Sequence, residues 1–173
     1  LIEKMGGTIT FESAEGIGTT FVIRVPFRID TDRESKAETE AKTEASIRGL
    51  HILLAEDNEL NMEIAEFMLQ NEGAVVTKTW NGQEAVEIFE KSRPDEFDVI
   101  LMDIMMPVMN GYEAAKMIRS MDREDAKTIP IIAMTANAFT EDRIKAKEAG
   151  MDEHISKPID MKLLVKIIHE LVY

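Results

Sequence analysis

Acidic, hydroxyl and basic residues follow short apolar runs in the carboxy-terminal part of the chain. Glu56 and Asp57 come directly after the run HILLA, and Asp103 comes directly after the run VILM. Thr135 follows IIAM, and Lys157 follows the predicted strand EHIS, in which Ile155 is the apolar residue. Three carboxylates brought together would repel one another and raise each other's pKa unless a hard cation compensates. Mg²⁺ suits such a site, because it takes oxygen ligands, keeps waters and recruits a phosphate oxygen.

This set of residue types can carry out phosphoryl chemistry. A carboxylate held at a rigid strand end, as Asp103 is expected to be, can attack a phosphorus in line and form an acyl phosphate. The transferred group carries charge on its equatorial oxygens, for which Lys157 and Thr135 are the candidate partners. The backbone carbonyl of Met105 can complete the metal shell. Glu56, Asp57 and Asp103 are thus predicted Mg²⁺ ligands, with Asp103 as phosphoacceptor.

Each of these residues also has an ordinary explanation. The acids at 56 and 57, or Asn58, can simply cap the following helix. A single acid, hydroxyl or lysine after a strand is unremarkable in a loop, and this applies to Asp103, Thr135 and Lys157. Their joint position at the carboxyl ends of strands favours a shared site.

The elements that must position these residues alternate regularly after Gly49. Short apolar runs predict strands at His51–Ala55, Val75–Thr79, Asp98–Met102, Ile131–Met134 and Glu153–Ser156. Amphipathic stretches predict helices at Leu60–Asn71, Gln83–Lys91, Tyr112–Met121, Thr140–Ala149 and Met161–Leu171. Fivefold alternation implies an α/β fold with a doubly wound, flavodoxin-like five-stranded parallel sheet in the order 2-1-3-4-5. Ligands of such sheets bind at the carboxyl edge, where the candidate residues are expected.

The first 48 residues follow different patterns. Leu1, Ile2 and Met5 are spaced as in a helix that ends at Gly6-Gly7, and the alternation that follows predicts a β-hairpin. Its apolar side would pack on the following domain, pair with another copy or remain disordered. Mixed charge and few large apolar residues then predict a linker. The predicted parts are 1–27 (hairpin segment), 28–48 (charged linker) and 49–173 (complete domain).

Composition excludes several classes of function. The chain has no cysteine, so disulfides and thiolate metal sites are impossible and a reducing cytosol is expected. Apolar runs are too short to cross a bilayer, and no direct membrane contact is expected. Residues 49–173 carry 24 Asp/Glu against 13 Lys/Arg, so nucleic acid is not an expected partner. The first residue is Leu, and we expect the chain to be part of a larger protein.

Five segments of residues 49–173 resemble receiver domains of response regulators and hybrid sensor kinases, in order and spacing: LLAEDNELN, WNGQEA, VILMDIMMPVMNG, IIAMTANA and ISKPID. The resemblance implies a phosphoacceptor at Asp103 and a switch hydroxyl at Thr135. It also implies the family's acidic pair at Glu56-Asp57, its invariant lysine at Lys157 and a cis bond before Pro158. The family often has Tyr or Phe where this chain has His154. That histidine can rotate as a switch or be an ordinary surface residue.

The amino-terminal segment LIEKMGGTITFESAEGIGTTFVIRVPF resembles the last strands of a histidine-kinase ATP-binding domain. Gly16, Gly18 and Thr19 match the second glycine box of that domain, although a glycine pair is also ordinary in a hairpin turn. The family's nucleotide-binding residues would lie upstream. This fragment is therefore not expected to bind ATP or act as a kinase, and its expected activities are receiver phosphotransfer and autodephosphorylation.

The resemblance implies the phosphoacceptor receiver of a hybrid histidine kinase in a two-component phosphorelay. The phosphoryl donor would be a phosphohistidine of the kinase's own dimerisation domain or of a histidine phosphotransfer protein, in the cytoplasm, whether or not the parent is membrane-anchored. An alternative is an interaction or regulatory module of the same fold that works without phosphorylation. A flavin-binding module would need a phosphate-binding loop rich in Ser, Thr or Gly where Glu56-Asp57 stand.

Overall fold

The structure, a computed structural model, describes residues 2, 6–14, 16, 18–26, 45–136 and 140–173. The chain divides into two compact units, Leu1–Glu44 and Ala45–Tyr173. The helix end predicted around Leu1 and Met5, and most of the linker predicted at 28–48, lie outside the described residues.

The first unit contains an antiparallel hairpin. Strand β1 (Thr8–Ala14) pairs with β2 (Gly18–Arg24). Phe11 lies opposite Phe21, and their ring centroids are 5.9 Å apart, a cross-strand aromatic pair that stabilises a hairpin. The hairpin predicted from the alternation of apolar and polar residues is confirmed.

The second unit contains a five-stranded parallel sheet. Its strands are β3 (His51–Ala55), β4 (Val75–Thr79), β5 (Val99–Asp103), β6 (Ile131–Thr135) and β7 (Glu153–Ser156). They lie in the order β4-β3-β5-β6-β7, which is 2-1-3-4-5 when counted within this unit. The predicted fold is confirmed, and β5 includes Asp103 as its last residue.

Six helices accompany the sheet in the described part of this unit. They are α1 (Glu59–Asn71), α2 (Gly82–Lys91), α3 (Gly111–Ser120), α4 (Glu124–Thr128), α5 (Thr140–Glu148) and α6 (Met161–Val172). The ends of all helices but α4 lie within one residue of the predicted ones, whereas the short α4 was not predicted. Asn58, Asn81, Asn110 and Asp160 each accept a hydrogen bond from a first-turn N–H and so fix where four helices begin. None of the helices in the described ranges is long and apolar enough to cross a membrane.

Both faces of the sheet are buried against helices. Along β5, Ile100 and Met102 belong to one apolar cluster, and Val99 and Leu101 belong to the other. This division follows from the two-residue period of a strand and explains why the run VILM is apolar throughout.

The compact unit begins at Ala45 rather than at the predicted Gly49. Ile47 is fully buried in the cluster that contains Val99 and Leu101. Because the apolar side chain of Ile47 reaches this core, the end of the predicted linker belongs to the second unit.

Candidate functional site

Three carboxylates meet at the carboxyl edge of the parallel sheet. Glu56 and Asp57 follow β3, and Asp103 ends the neighbouring strand β5. Each offers one carboxylate oxygen, and these oxygens all lie within 4.8 Å of one another. Asp103 is 5% exposed, Glu56 is also buried, and Asp57 is exposed. Oxygen ligands so close together suit a hard cation such as Mg²⁺.

Lys157 joins two of these acids. Its ammonium Nζ donates to Oδ2 of Asp103 at 2.6 Å and to Oε2 of Glu56 at 2.5 Å. Its backbone N–H donates to the carbonyl of Thr135 at 2.8 Å, so the strand ends of β6 and β7 place it at this edge. The Lys157–Pro158 peptide bond is cis, as the resemblance implied. The contact between Lys157 and Glu56 was not anticipated from the sequence.

Burial and neighbouring charges both shift the pKa values of Asp103 and Lys157. Burial raises the pKa of the Asp103 carboxyl above its ordinary value, while the hydrogen bond and charge of Lys157 oppose this rise. The negative charge of Glu56 adds to the rise. Burial by itself would lower the pKa of Lys157, but the hydrogen bonds to Asp103 and Glu56 outweigh burial and raise it. Lys157 is therefore charged at neutral pH and favours the ionised form of Asp103.

Glu56 is held by the start of helix α1 without capping it. The helix cap is Asn58, whose Oδ1 accepts from the backbone N–H of Asn61 at 3.0 Å. Glu56 Oε1 instead accepts from the Asn58 N–H at 3.3 Å and from Nδ2 of Asn61 at 3.1 Å. The capping explanation thus applies to Asn58, and Glu56 remains part of the cluster. Asn61 was missed, because a polar residue on the first helical turn carries no distinctive sequence signal.

The loop after β5 is packed closely against Asp103. The N–H of Met105 donates to Oδ1 of Asp103 at 3.2 Å. A Cβ atom on Gly111 would lie 2.3 Å from the carbonyl oxygen of Asp103, so only glycine fits at the start of α3. The Gly111 N–H also donates to the carbonyl of Ile104 at 3.0 Å. Gly111 was missed as a site residue; the only signal in the sequence is the dipeptide Asn110-Gly111, which is typical of turns.

Thr135 and His154 lie on the two strands beyond β5. Thr135 is buried at the end of β6, beside the strand that carries Asp103. His154 is half-buried on β7, with Nδ1 3.5 Å from Oε2 of Glu153, and it lines a cavity of about 360 Å³ that Arg143 also lines. His154 is not a member of the acidic cluster. A switching role for either residue remains a prediction.

Residues 52–169 match the model of the response regulator receiver domain. The receiver domain of sensor histidine kinase PA1611 from Pseudomonas aeruginosa, solved with a magnesium ion in its active-site cleft, is 40% identical with a TM-score of 0.65. That similarity covers 72% of this chain and 98% of the other. A chain in the co-crystal structure of the Saccharomyces cerevisiae histidine phosphotransfer protein Ypd1 with the Ssk1 receiver domain is 30% identical with a TM-score of 0.66. That similarity covers 73% of this chain and 90% of the other.

The curated relatives are much longer proteins. Several carry the name histidine kinase or hybrid signal transduction histidine kinase. The aerobic respiration control sensor protein ArcB of Escherichia coli is 32% identical over 169 residues, which is 97% of this chain and 21% of that protein. Across eight such relatives the chain spans between 5% and 21% of their length.

Proposed function

The chain belongs to the response regulator receiver domain family, and from this premise we propose that Asp103 is its phosphoacceptor. The domain acts as a receiver in a two-component phosphorelay of the hybrid histidine kinase type. The observation that supports Asp103 is its position: a nearly buried carboxylate at a strand end, within 4.8 Å of two other acids and bonded to a lysine ammonium. A phosphorelay needs such a nucleophile beside a cation site and a fixed positive charge.

The chain's own residues account for the transfer step. A carboxylate oxygen of Asp103 attacks the phosphorus of a phosphohistidine in line, so that a new P–O bond forms while the P–N bond breaks. The electron pair of the broken bond stays on the leaving imidazole nitrogen. Lys157, already beside Asp103, then balances charge on the phosphoryl oxygens, and the hydroxyl of Thr135 is the second candidate partner. Thr135 on β6 and His154 on β7 would act as switch residues that respond to phosphorylation by a change of conformation.

The acidic cluster is proposed to bind Mg²⁺ through Glu56, Asp57 and Asp103, with the Met105 carbonyl as a further ligand. Three clustered carboxylates repel one another, and a dication relieves that repulsion. The magnesium ion in the cleft of the related PA1611 receiver domain supports the choice of metal. When bound, Mg²⁺ would neutralise charge between the acids and the incoming phosphoryl group.

Helix α1 offers a surface for the phosphodonor. Leu60, Ile64 and Phe67 follow one another at helical spacing and are exposed, Phe67 to 72%. A cavity of about 280 Å³ connects this stripe to the site, since Ile64, Glu56 and Lys157 all line it. We propose that a histidine phosphotransfer protein, or the dimerisation domain of the parent kinase, docks here through an apolar helix face. The complex of Ypd1 with a related receiver domain supports the first of these partners.

For the rest of the chain we propose that residues 1–27 are the last strands of a histidine-kinase ATP-binding domain, joined to the receiver domain by the linker that starts at residue 28 and ends before Ala45. The match to ArcB supports a kinase parent, because it covers 97% of the chain and therefore extends into the first unit. The sensing and kinase activities of the parent protein, and the cytoplasmic location of this receiver domain whether or not the parent is membrane-anchored, are part of the same proposal.

Acetyl phosphate tests the proposed phosphoacceptor. With Mg²⁺ present, the intact mass of the protein should rise by one phosphoryl group, and removing Mg²⁺ with EDTA should prevent this. Asp103→Asn should abolish the mass change, whereas Asp122→Asn, at an exposed turn, should not. A wild-type protein that gains no phosphoryl group would instead favour an interaction module that works without phosphorylation.

A further inference from the structure

Val108, in the loop between β5 and α3, has a backbone conformation that is unfavourable for valine. Its φ is +66°, and the Met109 N–H donates to the Pro107 carbonyl at 2.7 Å, which closes a γ-turn centred on Val108. Asp95 is the other non-glycine residue with positive φ in the described part of the chain. Aspartate tolerates this region, but a β-branched side chain does so poorly.

The surrounding loop holds Val108 in this conformation. On one side, the Met105 N–H donates to Asp103. On the other side, the carbonyl of Met109 accepts from the Gly82 N–H at 3.0 Å, at the start of α2. The Gly111 N–H donates to the carbonyl of Ile104 and so joins the two ends of the loop. Because bonds on both sides fix the loop, the strained residue persists at its tip.

Packing within the domain does not explain why this position is valine. The side chain of Val108 is 83% exposed, so it buries little apolar surface on folding. Glycine or asparagine would adopt the turn at lower cost. Met105, in the same loop, is 78% exposed. The loop that follows Asp103 therefore presents two apolar side chains to solvent, one of them at the expense of backbone strain.

The position of this loop indicates what it contacts. Asp103 is nearly buried, so a donor protein must settle over the cleft and its surrounding loops to bring phosphorus to a carboxylate oxygen. We propose that Val108 is a specificity-determining residue, which contacts apolar side chains beside the phosphohistidine of the donor protein. This inference rests on the proposed role of Asp103. A small donor such as acetyl phosphate has no protein surface beside its phosphoryl group and does not use the contact.

Comparing a protein donor with a small-molecule donor distinguishes the loss of a partner contact from a change in the geometry of the loop. Val108→Asn removes the apolar branch and suits the turn, whereas Val108→Ile keeps a branched apolar side chain. Val75→Asn is the matched control. Val75 is half-exposed at the amino end of strand β4, whereas Asp103 lies at the carboxyl ends of the strands. Phosphorylation rates would be measured with acetyl phosphate and with phosphorylated Ypd1, both in Mg²⁺.

For Val108→Asn we expect the acetyl phosphate rate to stay within about twofold of wild type, while KM for phosphorylated Ypd1 rises about tenfold, equivalent to about 1.4 kcal/mol. The kcat should change little, and Val108→Ile and Val75→Asn should behave as wild type. Equal transfer from Ypd1 to Val108→Asn and wild type would overturn this inference alone, as would an equal loss with both donors. A wild-type protein labelled by neither donor would overturn the proposed function as well.

Discussion

The ammonium of Lys157 lies 2.6 Å from Oδ2 of Asp103, although 54 positions separate the two residues in the sequence. The same ammonium bonds Glu56, so one cation satisfies two buried acids at the edge of the sheet. This arrangement holds the carboxylate of Asp103 in place and leaves a positive charge where a phosphoryl group would arrive.

Replacing Lys157 should slow phosphorylation of Asp103. Lys157→Met keeps the length of the side chain but removes the charge that would stabilise the transition state. We expect the rate with acetyl phosphate and Mg²⁺ to fall about 100- to 1,000-fold, as for loss of one charge-stabilising group in an active site. Lys162→Met, at an exposed position of α6, is the control. A Lys157→Met protein that reacts at the wild-type rate would exclude this role.

Adding one methyl group at Gly111 should disturb Asp103. A Cβ atom there would lie 2.3 Å from the Asp103 carbonyl oxygen, so the backbone of the phosphoacceptor must shift. We expect Gly111→Ala to lower the free energy of unfolding by about 1 to 3 kcal/mol and to slow phosphorylation. Urea unfolding and intact-mass kinetics would measure both effects. Ser120→Ala, at the exposed end of α3, should change neither, and a fully active Gly111→Ala protein would contradict this close packing.

Relieving the strain at Val108 should stabilise the domain. Asparagine tolerates positive φ, so Val108→Asn is expected to raise the free energy of unfolding by about 1 kcal/mol. The same change at Val75 should lower it, because asparagine is disfavoured in a strand. Thermal and urea unfolding of the three proteins would compare them. Loss of stability in Val108→Asn would mean that the valine side chain packs favourably after all.

The Arg123–Asp125 pair should make stability depend on pH. Hydrogen bonds from Arg123, at 2.6 Å to each carboxylate oxygen, lower the pKa of Asp125 to about 2. Because the folded pKa lies below the unfolded one, the pair stabilises the protein above about pH 4 and is lost as the pH falls towards 2. The contribution at neutral pH is about 2 kcal/mol.

Asp125→Asn tests this expectation. The unfolding free energies of wild type and variant should differ most at neutral pH and converge between pH 4 and pH 2. Asp122→Asn, which changes an exposed acid, should follow the wild-type curve. Parallel curves for wild type and Asp125→Asn would show that the ion pair carries no such pH dependence.

The central strands β3, β5 and β6 were predictable because each is a short apolar run bounded by polar or turn residues. The edge strands β4 and β7 contain fewer apolar residues, and the regular alternation of strands and helices indicated them. Helix boundaries were predictable to within one residue from the amphipathic stretches. The starts of four helices are sharp because Asn58, Asn81, Asn110 and Asp160 are strong caps. Helix α4 was missed because the stretch around it is polar and has no apolar period. Long-range contacts define it instead: Asp125 accepts from the Asp95 N–H at 3.0 Å, and Arg123 donates to the Phe89 carbonyl at 2.6 Å.

The clustering of acids was predictable because parallel strands share one carboxyl edge. The hydrogen-bond and packing partners of the individual residues were not predictable. Sequence alone could not show that Lys157 bonds Glu56, that Asn61 supports Glu56, or that Gly111 lies against Asp103, since these contacts depend on rotamers and loop paths. Ile47 was assigned to the linker for a similar reason, because one apolar residue among charged ones gives no periodic signal.

Locating the modified residue tests the role of Asp103. The protein would be phosphorylated with acetyl phosphate and Mg²⁺, reduced with borohydride to convert an acyl phosphate to an alcohol, digested and sequenced by tandem mass spectrometry. We expect homoserine at position 103 in wild type and at no position in Asp103→Asn. A reduced residue at position 56 or 57, or a phosphoryl group that survives borohydride on a hydroxyl side chain, would contradict the assignment.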